Sequence, residues 1–125
     1  MAIKKLLTLG AASRRKEFTY SGSIESGVTL NQTGKPFVSA ELFSEAMQHF
    51  AARRVYGGFS QDNPTAGGFG EWVERESARL NSRGLSPRHG SFIAAILCAE
   101  ADVRSELEGN TVVLHFPEAK RTAHA

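Results

Sequence analysis

The sequence predicts a single α+β domain with three main helices, a short N-terminal β element and a C-terminal β-hairpin. Three observations carry that prediction. Apolar residues recur at helical spacing in three separate stretches, over 42–50, 69–80 and 92–97. Short β-prone runs, Phe18-Thr19-Tyr20 and Val28-Thr29-Leu30, end in Ser-Gly and Asn-Gln-Thr-Gly turn formers. An alternating run over 103–108 meets Gly109-Asn110 and continues as Thr111-Val112-Val113-Leu114-His115-Phe116, the pattern of a hairpin. A helix running on to Glu108 fits the spacing of Ile96, Val103 and Leu107 as well, but it would set Glu106 and Glu108 against the negative end of its dipole.

Size and composition allow one ordinary core. The chain has 125 residues, 41% of them apolar and 22% charged, a balance that supports folding without metal or disulfide staples and lies away from the composition of disorder. The reading places a basic arm at 1–16, a globular domain at 17–117 and a loose tail at 118–125. The arm carries Lys4, Lys5, Arg14, Arg15 and Lys16 before the first acid, Glu17. Such a run either neutralises phosphates or is a solvated terminus. The net charge of +2 is too small for whole-chain electrostatics to demand a polyanion, so only a local cluster of cations can argue for one. The single cysteine, Cys98, sits in an apolar run and favours a reducing cytoplasm. No apolar stretch is long enough for a membrane span, so no membrane partner is expected. Lys4-Lys5 and the short apolar run behind them resemble a secretory leader only faintly.

Along the chain, Phe37-Val38 continues the β element and Ser39 caps the first helix, with Glu41 in its first turn and Arg53-Arg54 closing its last turn. Leu42, Phe43, Ala46, Met47 and Phe50 form its buried stripe. Residues 55–70 read as a long Gly-rich connection in which Phe59 and Phe69 reach into the core. Its two Gly-Gly-Phe units lack the spacing and lysine of a phosphate cradle. The second helix runs over 71–81 on Trp72, Val73 and Leu80, and Gly84 supplies its stop. Ser86-Pro87 is the sharpest start signal in the chain, a capping hydroxyl ahead of proline at the first helical position.

Helix, turn, helix and hairpin over 71–116 resembles the winged helix-turn-helix arrangement, on order and length alone. The resemblance implies binding of DNA or another nucleic acid through the amino end of the second helix of the pair, with a homodimer reading paired half-sites. Arg88 and Ser91 then face the bases with His89 at the edge, Arg79 and Arg83 meet the backbone, and Arg104 or Asn110 occupies the wing. Gly90 in the first turn and the scarcity of long polar side chains beyond Arg88 speak against base reading more than against backbone binding.

Two other classes compete. A protein-interaction module would use Tyr56, Phe59 and Phe69 of the Gly-rich stretch as anchors, provided they are exposed. An enzyme has the least behind it: the four histidines lack metal-ligand spacing, and Gly58-Phe59-Ser60-Gln61-Asp62 is half of a nucleophile elbow without its closing glycine. No catalytic residue, metal or cofactor is assigned.

Overall fold

A computed structural model describes residues 3–10, 15–60, 65–109 and 111–118. The chain is α+β, with three helices and two antiparallel sheets among these residues. The first sheet is a four-stranded meander in chain order: β1 (Ile3–Leu7), β2 (Glu17–Ser23), β3 (Gly27–Leu30) and β4 (Phe37–Val38). Helix α1 (Ala40–His49) follows, then β5 (Arg54–Tyr56), α2 (Phe69–Glu76), α3 (Gly90–Glu100) and the hairpin β6 (Arg104–Glu108) and β7 (Thr111–His115). The second sheet has the order β5-β7-β6, so the hairpin acquires a third strand from the middle of the chain.

This corrects two expectations. Strands are not confined to the two ends, and the N-terminal β element is a full sheet. Its first strand comes from the presumed basic arm, residues 3–7 pairing antiparallel with β2 from Ile3 opposite Ser21 to Leu7 opposite Glu17. The tail proposed over 118–125 lies outside the described residues after Glu118, as does Asn110 of the hairpin turn. At Gly109 the turn has the positive φ, +64°, that glycine adopts without strain.

Local chemistry explains the helix ends. The Ser39 hydroxyl accepts from the Leu42 amide at 3.0 Å and donates to the Leu80 carbonyl, so one side chain caps α1 and ties it to the end of the α2 region. Helix α2 is shorter than its periodicity predicts. It ends at Glu76, and turns carry the chain through Asn81, which takes a φ of +60°. At Ser86-Pro87 the expected start is present, and His89 adds a reciprocal capping box that the sequence reading did not include. The Ser86 amide donates to His89 Nδ1 at 3.0 Å, and a 3-10 turn over Pro87–His89 leads into α3.

Helix α3 is the centre of the molecule. Phe92, Ile93, Ala94, Ala95, Ile96 and Leu97 are all buried, so no face of its middle is free. The ring of Phe18, from β2, packs on Phe92 with centroids 5.0 Å apart. A second aromatic group, Phe50, Phe69, Trp72 and Phe116, joins α1, α2 and the end of the hairpin. Trp72 is 4% exposed and is a major packing residue, as its place in the apolar stripe implies.

Candidate nucleic-acid interface

The amino end of α3 is partly plugged. Pro87, His89 and Gly90 are buried, and a Cβ at Gly90 would stand 2.9 Å from the Phe59 ring. On the other side Gly70 of α2 lies so close that its own Cβ would meet the Gly58 carbonyl at 2.3 Å and that of Pro87 at 3.0 Å. Phe59 and the backbone of α2 therefore close that end on its inner side.

The predicted site residues separate accordingly. Arg88 is exposed, with no hydrogen-bond or ion-pair partner for its side chain among the described residues. Ser91 is half-exposed and donates its hydroxyl to the Arg88 carbonyl at 3.0 Å. His89 is 8% exposed, and burial, helped by the neighbouring Arg88 charge, holds its ring below the usual histidine range. A neutral ring that accepts from the Ser86 amide is a capping group and contributes no positive charge to an anion.

Arg79 and Arg83 do not join them as free cations. Arg79 grips Glu76 at 2.6 Å, and Arg75 holds the same carboxylate at 3.1 Å. These two donors lower the Glu76 carboxyl below its ordinary range despite the opposing effect of burial. Arg83 pairs through its backbone with Phe37, and its guanidinium lies over that ring. Arg104 is exposed on the edge strand β6 without a side-chain partner among the described residues.

Sequence reasoning missed where the basic segment runs. The segment after β1 crosses the first turn of α3, where the Leu9 amide reaches the Ser91 carbonyl at 3.5 Å. Thr8 holds the return of the chain, its amide donating to the Lys16 carbonyl and its hydroxyl accepting from the Lys16 amide, both at 2.9 Å. Arg15 donates to the Gly10 carbonyl at 3.1 Å and lines a cleft of about 190 Å³ with Ser105, Glu106 and Leu107 of the hairpin. The Arg15 and Lys16 side chains pair with no carboxylate among the described residues, and Glu106 in the same cleft is engaged by His115 at 2.6 Å. Arg15 thus lies beside the hairpin, and Leu9 and Thr8 link the segment that carries Arg15 and Lys16 to Ser91, one turn from Arg88. The signal available in the sequence was the basic stretch itself; the fold it crosses was not.

The interaction stretch proposed over 56–70 keeps one of its three anchors on the surface. Tyr56 is 42% exposed, with Arg54 over its ring at 5.2 Å, whereas Phe69 is fully buried and Phe59 packs against the core. Residues 61–64 of that stretch, with Asp62 of the incomplete nucleophile elbow, lie outside the described residues. Cys98 is half-buried, and burial pushes its thiol above the ordinary range, only partly offset by a hydrogen bond with Ser105. Among the described residues no group of three or more His, Cys, Asp or Glu side chains is placed to hold a metal ion, and no helix is long and apolar enough to cross a membrane. No known protein family, curated protein or solved structure matches the chain.

Proposed function

We propose that the protein binds nucleic acid through the phosphate backbone, as a winged-helix-like unit in which α3 is the support and not the reader. The observation that carries this reading is the contact of Leu9 with Ser91, which draws the basic segment across the amino end of α3 and beside the hairpin. Arg15, Lys16 and Arg88 are exposed and form no ion pair among the described residues, and the carboxylate that shares the Arg15 cleft, Glu106, is hydrogen-bonded to His115. Phosphate contacts need only such cations, whereas base contacts need a helix face that can enter a groove. With residues 92–97 buried, the second requirement is not met by α3, and the binding expected is weakly dependent on sequence. The order α2, α3, hairpin supports the winged-helix likeness, and the half-buried thiol of Cys98 suits a reducing cytoplasm.

The test is fluorescence anisotropy with a labelled duplex at several salt concentrations. Arg15→Ala with Arg88→Ala should weaken binding about tenfold or more at low salt and lower the slope of log affinity against log salt by about 1–2. Duplexes of unrelated sequence should bind within a few-fold of one another. Absence of wild-type binding at about 50 mM salt, or a double variant with an unchanged slope, removes the reading.

A further inference from the structure

Helix α1 carries a second surface feature that the nucleic-acid reading does not use. A shallow groove of about 400 Å³ is floored by Ile24, Ala40, Phe43 and Met47. It continues past Ala40 and Ser44, which it shares with an adjoining recess of about 320 Å³ that ends at Leu80. Ala40, Ser44 and Met47 follow one another at helical spacing, so the groove runs along α1 with small side chains in its first half.

The rim is acidic. Glu25 stands at the turn between β2 and β3, and Glu41 and Glu45 sit on α1 beside the floor. No lysine, arginine or histidine pairs with any of the three among the described residues; Glu41 accepts only from the Asn81 amide group, at 2.9 Å. Glu41 is accounted for by its place in the first turn, where the helix dipole favours an anion. Glu45 is not: one turn further on, it lies at i, i+4 from a like charge, an unfavourable arrangement on a helix. An apolar floor flanked by uncompensated carboxylates fits a ligand with the opposite arrangement.

We propose that this groove docks a short basic amphipathic helix of another protein, with apolar side chains on the floor and lysines or arginines along the rim. The small side chains of Ala40 and Ser44 let a second helix approach closely, and the length of α1 matches two to three turns of a partner, roughly 15 Å. Opposite charge along the rim fixes the register and speeds encounter.

The experiment uses the full chain and a fluorescein-labelled peptide of roughly twelve residues with leucines at i, i+4 and i+7 and lysines on both flanks. Saturable binding is expected, weakened at least about tenfold by Glu41→Lys with Glu45→Lys and weakened again by high salt. Glu41 is exposed and Glu45 half-exposed, and Trp72 fluorescence reports whether the double variant is folded. The same peptide with glutamates for its lysines should bind at least about tenfold more weakly than the lysine form. Equal binding of the two peptides, unaffected binding by the charge-reversed variant, or no binding at about 1 mM peptide overturns the proposal. Concentration-dependent dimerisation that the same double variant abolishes would assign the groove to a second copy and overturn it too. Arg15→Ala with Arg88→Ala leaves this binding unchanged, so the two surfaces succeed or fail separately.

Discussion

Glu100 sits at the last position of α3, where the helix dipole disfavours a carboxylate by about 0.3–1 kcal/mol. Three donors reverse that cost. Its Oε2 accepts from the Tyr20 hydroxyl at 2.5 Å and from Lys4 at 3.0 Å, and its Oε1 accepts from the Ile24 amide at 3.2 Å. Burial pushes the carboxyl upward, but the hydrogen bonds from Tyr20, Lys4 and Ile24 outweigh it, so the group titrates below its ordinary range. Burial and the adjoining carboxylate drive the Tyr20 phenol strongly upward, which leaves it a donor throughout. Because the folded value of Glu100 lies below the unfolded one, its contribution to stability is complete above the ordinary carboxylate range and is lost as pH falls through the folded value. The expected outcome is a urea midpoint that declines with acidification in the wild type and declines less steeply in Glu100→Gln. At neutral pH Glu100→Ala should cost about 1–3 kcal/mol, since it strands the buried Tyr20 hydroxyl. A pH profile identical in Glu100→Gln and wild type would show that the carboxylate contributes nothing through its charge.

Among the elements, α2 shows how a backbone approach fixes a neighbour. Its second residue, Gly70, faces the carbonyls of Gly58 and Pro87, so the helix rests directly on the turn that starts α3. Gly70→Ala should therefore destabilise by about 1–3 kcal/mol or more, because backbone and not a flexible side chain would have to move. Equilibrium unfolding in urea measures it, and an unchanged midpoint would mean that this approach is loose. The strong elements were legible in the sequence for local reasons: Ser39 caps α1, Ser86-Pro87 opens the turn into α3, and the alternation around Gly109 forms the hairpin. Two strands were not. In β1, Ile-Lys-Lys-Leu-Leu breaks the two-residue period, and it becomes a strand only by pairing with β2. In β5, three residues hydrogen-bond to β7 from the far end of the chain, a pairing that no local pattern announces. The same limit hid the site: the basic character of 4–16 was visible, but its crossing of α3 at Ser91 depends on tertiary contacts. The winged-helix resemblance asks for one approachable side on a mostly buried α3, and the buried Ala95 closes the middle of that side, beneath a first sheet legible in the sequence only as short β-prone runs and an arm.

Over the whole molecule, the question is whether the N-terminal sheet is an attachment or part of the folding unit. The packing favours the second. Phe18 is 3% exposed and stands between Tyr20 and Phe92, while Lys4 and Tyr20 converge on Glu100, so both ends of α3 are held by the first sheet. The sole tryptophan, Trp72, lies in the other aromatic group with Phe50, Phe69 and Phe116 and reports on the remainder of the core. Phe18→Ala should cost about 3–5 kcal/mol through a cavity against α3. If the molecule unfolds as one unit, that loss lowers the urea midpoint seen by Trp72 fluorescence and by far-ultraviolet circular dichroism equally. An independent first sheet would instead melt early in the dichroism signal and leave the Trp72 midpoint where it was. The shared burial of α3 predicts the coincident shift, because a helix buried between residues 92 and 97 cannot lose one covering layer and keep the stability of the rest.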